Sequence, residues 1–404
     1  MTLIECFTES HIDNIAAALR LRPEKLVLVG DEQEMKIPVC RYRKLLQERG
    51  YPTAVSTCDV PRNDLFRICG ALADLLRRDE DFVIDLTGGD ETVIMAVGGV
   101  LAGLDEKKRS RIRVEKYDYG TDAVVDCAAG NRVLHCETVG LTVKELVELH
   151  GGVLYPVSYQ PPAGSTCREI DGLWQVVAEA PKEWNDMLAK LSWFESRNQC
   201  KSKTRITVPL GNLRGAPGFE EKERIARQLL ERLDRRGVIE DRSSRDVLDY
   251  TYASELLRYC TRKAGNALEV KTLLEGREAA PFFNDCMMSV SIDWDGVPHS
   301  LSEQKPDTRN EIDVVLMHGL VPLFISCKNG NIEDVELYKL HTVAERFGGP
   351  HAKKMLVATA LDRNSDLADQ AFVRRAWDMD VYPMTEAGKL TREKWEQGLK
   401  DAAR

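Results

Sequence analysis

Leu26-Val27-Leu28-Val29-Gly30 is an unbroken apolar run that stops at a glycine. Such a run marks a strand buried on both faces of a parallel sheet. Its neighbours must return by crossover helices, and the flanking sequence supplies them. Strand-like stretches recur at Thr2–Phe7, Thr53–Ser56, Phe82–Leu86 and Ile112–Tyr117. Helical patterns lie between them, from about Ile12 to Leu21 (Ile12, Ile15, Ala16 and Leu19 at helical spacing), Arg41 to Arg49, Asn63 to Arg78 and Thr92 to Leu104. This alternation predicts a doubly wound α/β sheet with ligands outside the carboxyl ends of its strands. Thr142-Val143-Lys144-Glu145 is a capping box, and the helix it opens stops at Gly151-Gly152. The first module is therefore placed at 1–152.

The whole chain has 404 residues, long enough for two or three domains with cores of their own. Its net charge of −9 is uneven, at −6 over 1–150, +1 over 151–250 and −4 over 251–404. All six tryptophans follow residue 150, so the chain holds compositionally different modules. The acidic balance excludes a basic nucleic-acid coat, but not a small catalytic site for nucleic acid. No apolar run approaches the ~18 residues of a membrane helix. The opening MTLIECFTES lacks a basic region followed by an apolar one. The eleven scattered cysteines form no Cys-x-x-Cys. They read as reduced thiols of a cytoplasmic protein, with no zinc site or disulfide framework.

Residues 153–250 are less regular. Gln160-Pro161-Pro162-Ala163-Gly164 reads as a linker or turn, and Phe219–Arg236 as a charged amphipathic helix leading into a short extended piece. A helical connector with a solvated face is expected in preference to a winged-helix fragment, since no recognition helix stands out. Residues 251–404 begin with helical sequence to about Leu274. Strands follow at Met287–Trp294, Glu311–Met317, Leu323–Cys327 and Lys354–Ala358, with helices at Val335–Phe347 and Ala368–Trp377 and a charged C-terminal helix. That pattern is a second α/β unit with a mixed sheet.

Asp85-Leu86-Thr87-Gly88-Gly89-Asp90-Glu91-Thr92 lies between a predicted buried strand and a helix. Paired glycines let backbone approach a ligand, and free amides at a helix start hold anions or polar sugar and base groups. The plainer alternative is a tight connection with Asp90 or Thr92 as N-cap. The stretch is neither a Walker loop nor a dinucleotide fingerprint. Thr8-Glu9-Ser10-His11-Ile12-Asp13-Asn14 and Gly30-Asp31 end strands on the same edge. Their groups suit a nucleotide-like ligand, with Glu9, Ser10, Asn14, Gly30, Asp31, Thr87, Gly88, Gly89 and Asp90 as candidate contacts. His11 reads as a cap or turn residue. Asp90 and Glu91 repel phosphate, so bases or riboses must contribute.

The most informative stretch runs from Asn310 to Asn329, two strands joined by a turn containing Gly319 and Pro322. Side chains alternate along a strand, so Glu311 and Asp313 share one face and Ser326 and Lys328 share one face of the partner. A hairpin brings the two pairs together at its open end. Metal-assisted phosphodiester hydrolysis wants this arrangement. A strand carboxylate holds Mg²⁺ or Mn²⁺, and a lysine orients or helps deprotonate the attacking water and offsets charge on the phosphate. Glu269, on a predicted helix, adds a carboxylate, making Glu269 and Asp313 the candidate metal ligands and Glu269, Glu311, Asp313, Ser326 and Lys328 the candidate catalytic set. The alternative is an ordinary hairpin with one polar face in solvent. Against it, Lys328 ends an apolar strand, where a charge needs a partner.

Together these motifs resemble the CRISPR-associated two-module nucleases of type III systems, in which a Rossmann-like CARF sensor is joined to a PD-(D/E)xK nuclease. Asp85-Leu86-Thr87-Gly88-Gly89 matches the sensor's strand-and-turn motif. Glu269, Asp313 and Lys328 match the helix acid, strand acid and lysine of the nuclease motif. The resemblance runs end to end and is weakest over 153–250. It implies a Rossmann-like sensor (1–152), a helical or winged-helix-like connector (153–250) and a restriction-endonuclease-like α/β domain (251–404). It further implies that a cyclic oligoadenylate, foremost cyclic tetra-adenylate, binds across a twofold homodimer and switches on an endonuclease acting on DNA or RNA in antiviral defence. Two positions depart from the pattern. Asp90-Glu91 stand where such turns often continue Thr-Lys. Ser326 replaces the acid two residues before the lysine, leaving Glu311, Glu333 or Glu336 to compensate. Two other functions fit the modules: a ligand-responsive DNA-binding regulator with a non-catalytic last module, and an ungated restriction-type nuclease.

Overall fold

The computed structural model describes residues 1–404 except 122, 131, 135–138, 157–158, 295, 297–308, 331 and 362–366. The first module is a seven-stranded sheet of β1 (Thr2–Cys6), β2 (Lys25–Gly30), β3 (Ala54–Asp59), β4 (Phe82–Asp85), β5 (Ile112–Asp118), β6 (Ala123–Asp126) and β7 (Arg132–Leu134), in the order β3-β2-β1-β4-β5-β6-β7. The first five are parallel and the last two turn back antiparallel. The order reverses between β1 and β4, and at such a switch point the loops diverge and open a crevice. Helices Asp13–Leu21 and Pro38–Glu48 cover one face with Ile15, Leu19, Tyr42 and Leu46. Helices Leu65–Leu76 and Glu91–Ala102 cover the other with Ile68, Leu72, Val93 and Val97. One row runs against the apolar pattern. Glu5, Asp85 and Glu115 are register neighbours on β1, β4 and β5, each buried, with Arg20 and Arg113 paired to Glu115.

After the capping-box helix Val143–Leu149, formed with both reciprocal hydrogen bonds, β8 (Val153–Leu154) joins the edge of the C-terminal sheet. The expected connector then takes a defined shape. Helices Asp171–Glu179 and Trp184–Glu195 lead into β9 (Arg205–Pro209), helix Phe219–Arg235 and a hairpin of β10 (Ile239–Asp241) and β11 (Val247–Tyr252). The three strands pair antiparallel in the order β10-β11-β9. Helix, strand, one long helix and a hairpin resemble part of a winged helix, the less favoured of the two expectations, with only the short turn Gly211–Leu213 ahead of the long helix. Strands of five and six residues with alternating burial are too short to stand out beside a 17-residue helix.

The last sheet holds β12 (Asp285–Asp293), β13 (Arg309–His318), β14 (Val321–Lys328), β15 (Lys353–Ala358) and β16 (Val381–Met384), in the order β16-β15-β14-β13-β12-β8. β12, β13 and β14 are antiparallel neighbours, and β14, β15 and β16 are parallel. The β13–β14 turn is tighter than expected. Gly319 and Leu320 alone make it, with Gly319 at φ 59°, and Pro322 pairs with Met317 inside the strand. Both faces of this sheet are covered. Leu316, Leu323, Ile325 and Met355 pack with this helix-and-hairpin segment and the last helix around Trp184 and Trp395. Ile312, Val315, Met317 and Phe324 continue into the core of the first module's Ile12, Ile15, Leu46 and Leu146. The first and last modules therefore share one apolar interior. No helix among the described residues is long and apolar enough to cross a membrane.

Candidate functional site

The hairpin's ladder runs from His318↔Val321 to Val314↔Ile325, and the polar residues begin where it ends. Asp313 Oδ2 accepts hydrogen bonds from the Cys327 amide (2.6 Å) and the Ser326 hydroxyl (3.2 Å), with Lys328 Nζ 3.9 Å away. Ser326 thus orients the strand acid. The nearer partner of Lys328 is Glu336 (2.9 Å), on helix Val335–Gly348, and Glu336 also holds Lys339 at 2.8 Å. Of the three possible compensating acids, Glu336 reaches the lysine and Glu333 lines an adjoining cavity of about 540 Å³ with Lys182, Asp334 and Arg375. Glu311 bears on Glu269 through its charge.

Glu269 occupies the first turn of helix Asn266–Glu278, whose start is fixed by Asn266 Nδ2 donating to the Tyr259 carbonyl (2.8 Å). Burial first, then the Asp313 and Glu311 charges, push its carboxyl up to about 7. Burial also raises Asp313, against the opposing pull of Lys328 and two hydrogen bonds. For Lys328 burial disfavours the charge, yet Asp313 and Glu336 outweigh it and the ammonium is held above its ordinary range. So placed, the lysine favours its protonated form. The residue after it is clamped from three elements. Asn185 donates to the Asn329 carbonyl (2.7 Å), Asn329 donates to the Ala264 carbonyl (2.8 Å), and Thr359 donates to Asn329 Oδ1 (2.8 Å). Sequence reasoning missed Asn329 and Asn185, and only the juxtaposition of four distant segments picks them out.

Glu269, Glu311 and Asp313 thus bear on one another through their charges, and Asp313 lies beside a lysine that a fourth acid, Glu336, already engages. An oxygen-rich, net negative cluster of this kind fits a hard divalent cation. By contrast, Cys167, Glu275 and Glu278 are the only described trio whose ligand atoms all lie within 4.8 Å. Those acids are neutralised by Lys271 (2.7 Å to Glu275) and Arg392 (2.5 Å to Glu278), so they make an ion-pair network.

The crevice in the first module has a volume of about 510 Å³ and is lined by Glu9, Gly30, Asp31, Gly89 and Asp90 together with Arg62. Gly89 lies at φ 109°, and a Cβ there would stand 2.6 Å from Cys6 Cβ. A Cβ on Gly88 would meet Thr8 Cγ2 at 2.5 Å. Both positions need glycine. Asp31 accepts from Gln33 N and Asp90 from Thr92 N (2.9 and 2.8 Å), so each carboxylate also caps a helix. Four expected contacts, Ser10, Asn14, Thr87 and Gly88, do not line the crevice, Gly88 being packed against Thr8. Asn14 braces the loop through Thr8 N (2.9 Å) and the Thr8 carbonyl (2.7 Å). Thr87 is tied to Asp85, whose carboxyl burial raises to about 7, and receives the Tyr117 amide at 2.8 Å. Ser10 is buried on the far side of the loop. Arg62, Asn63 and Glu34 were missed, although the carboxyl end of β3 lies on this edge once the strand order is known.

Fold and site together define a two-module α/β protein with a ligand crevice at the switch point of one sheet and a carboxylate–lysine cluster at a hairpin end of the other. No family model and no curated protein matches the sequence. Solved structures do. Protein VC1899 from Vibrio cholerae superposes with a TM-score of 0.72 at 16% identity, covering 100% of this chain and 97% of its own. Can2 from Sulfobacillus thermosulfidooxidans, in complex with cyclic tetra-adenylate, gives 0.65 at 16% identity over 99% and 97%. The two-module fold implied by the family resemblance is the fold the chain has.

Proposed function

We propose that this chain is a cyclic-oligoadenylate-activated, metal-dependent endonuclease of type III CRISPR defence, acting as a homodimer on DNA or RNA. The observation that carries the reading is the meeting of Glu269, Asp313 and Lys328 at the open end of the β13–β14 hairpin. Similarity to the cyclic tetra-adenylate complex of Can2 supports the choice of activator.

Glu269 and Asp313 would hold Mg²⁺ or Mn²⁺, with Glu311 adding negative charge, and the ion would supply Lewis acidity to the scissile phosphate and lower the pKa of water. The chain's own residues set the rest. Ser326 and the Cys327 amide fix the Asp313 carboxylate. Lys328 presents its ammonium to the charge that grows on the phosphate oxygens. Glu336 sets where that ammonium rests, and the Asn329 clamp limits its travel. In the crevice, five acids (Glu9, Asp31, Glu34, Asp90, Glu91) face one Arg62, so a ring of phosphates is held through its bases and riboses. Phe66 and Met95 are 87% and 64% exposed on the paired helices whose starts flank the crevice. A methyl group added to Gly70, Gly98 or Gly99 beside them would meet no atom within 4 Å. That apolar face is where the second copy packs, bringing two crevices under one twofold axis.

The winged-helix-like segment favours a second reading, a ligand-responsive DNA-binding regulator. A cleavage assay on DNA and RNA with Mg²⁺ or Mn²⁺, with and without cyclic tetra-adenylate, decides between the two. The nuclease reading expects ligand-stimulated cutting that Lys328→Ala lowers by roughly 10²–10⁴-fold. DNA binding with no cutting under any condition favours the regulator. Unchanged cutting in Lys328→Ala overturns the site.

A further inference from the structure

The loop after β1 has two sides. Thr8 and Glu9 line the crevice, whereas Ser10 and His11 turn towards the C-terminal sheet. Ser10 and His150 are 7% and 5% exposed, and neither Ser10 Oγ nor His150 Nε2 has a hydrogen-bond partner. Both atoms aim at one spot. A methyl built on Gly349 would stand 3.7 Å from His150 Nε2 and 3.9 Å from Ser10 Oγ, in ordinary contact with each. The His11 ring lies 5.2 Å from that of His150. Asn14 donates to the Tyr42 hydroxyl (2.9 Å), which lies 2.8 Å from His11 Nδ1. The Tyr42 hydroxyl is then free to donate to Nδ1 and leave His11 Nε2–H as a donor.

Two arginines converge on the same place. Arg41 lies over the backbone of Gly151, next to His150, and Arg346 is on the helix that ends at Gly348. Neither makes an ion pair with any described residue. Burial and these two guanidinium charges, together with His150 in the case of His11, hold His11 down to about 3 and His150 down to about 4, and Arg346 also lowers Arg41. Two guanidinium groups without an ion-pair partner (Arg346 over the Phe347 ring at 5.7 Å, Arg41 at the rim of a cavity that Glu48, Glu145 and Glu148 also line), two neutral imidazoles and a buried hydroxyl around one spot have the makings of an anion site.

The protonation pattern narrows the anion. His150 Nδ1 is 2.9 Å from the Leu146 carbonyl and so carries the ring proton, leaving Nε2 as an acceptor. The ligand must accept from Ser10 and the arginines and also donate to His150 Nε2. Inorganic phosphate and phosphomonoesters do both, through P–O⁻ and P–OH. Sulfate at neutral pH and internal phosphodiesters have no such hydroxyl. We propose that Ser10, His150, Arg41 and Arg346 form a phosphate or phosphomonoester site that bridges the first and last modules beside Gly349. It is separate from the crevice and from the hairpin cluster, and needs neither to be active.

The test is thermal unfolding of the full chain at constant ionic strength with inorganic phosphate, sulfate, adenosine monophosphate or chloride. Phosphate is expected to raise Tm by at least ~2 °C over chloride at concentrations ~10-fold above Kd, with sulfate well below it. A matching shift with adenosine monophosphate shows that the site takes a phosphomonoester, and a shift with phosphate alone shows that it takes the free ion. Arg346→Gln and Arg41→Gln, both outside the apolar core, are expected to abolish the difference between phosphate and chloride. Equal shifts in wild type and variants, equal shifts with phosphate and sulfate, or a crystal structure from phosphate buffer with only a water at Gly349 would each overturn the proposal.

Discussion

Glu269 shows how a single side chain ties function to stability. Its native pKa of about 7 lies above the ordinary 4.5, so folding favours the protonated carboxyl. The associated stability is complete below about pH 4.5 and is lost as pH rises through 7. Glu269→Gln keeps a neutral group there at every pH. Its Tm is therefore expected to match wild type near pH 5 and exceed it at pH 8, by a free energy on the order of 2–3 kcal/mol, while cleavage disappears. A Tm difference that does not vary with pH would sink this account. Ser326 tests the departure from the motif. Because its hydroxyl already touches Asp313, Ser326→Glu places a further oxygen ligand in the cluster. Half-maximal cleavage should then need less Mg²⁺, and an unchanged or higher requirement would show that Glu336 already supplies the missing acid. The residue types of this cluster were legible in the sequence, down to the shared faces of Asp313 and Ser326. The protonation of Lys328 was not, because it depends on Glu336, which lies outside the hairpin.

At the scale of elements, the Thr87–Asp90 turn is shaped by its neighbours. Gly89→Ala must place a methyl 2.6 Å from Cys6 Cβ at a φ of 109°, so it is expected to cost roughly 1–3 kcal/mol and to abolish any Tm increase on adding cyclic tetra-adenylate. A variant with wild-type stability and a wild-type ligand shift would show the turn to be a bare connection. Here the sequence reading was close. Strong apolar periodicity placed β2, β4 and the helix after β4 to within two residues, and the Thr142 capping box formed as written, whereas the short helix Glu32–Met35 was not foreseen and the next begins at Pro38, three residues before the expected Arg41. The short strands β9 and β11 were missed because five or six alternating residues carry little signal. Pro322 was put in the turn because proline usually marks one, yet Gly319 makes the turn and Pro322 is taken into the strand.

At the scale of the molecule, the proposed activation predicts that two copies meet. Phe66→Glu combined with Met95→Glu is expected to convert a dimer into a monomer by light scattering and to remove ligand-stimulated cleavage, while leaving Tm within a few degrees because neither side chain is in the core. A variant that stays dimeric would place the interface elsewhere. By itself the sequence determined the class of fold and the kinds of groups at both sites, because buried parallel strands, caps and glycine turns are local consequences of chain chemistry. Only the tertiary structure decided which groups meet. Strand order set the rim of the crevice, and the shared core around Phe324 and Ile15 locked the modules together. The same packing brought Glu336 to Lys328 and Arg346 near His150. Each of those contacts joins residues distant in the chain, and their energies exist only once packing has removed the water between them.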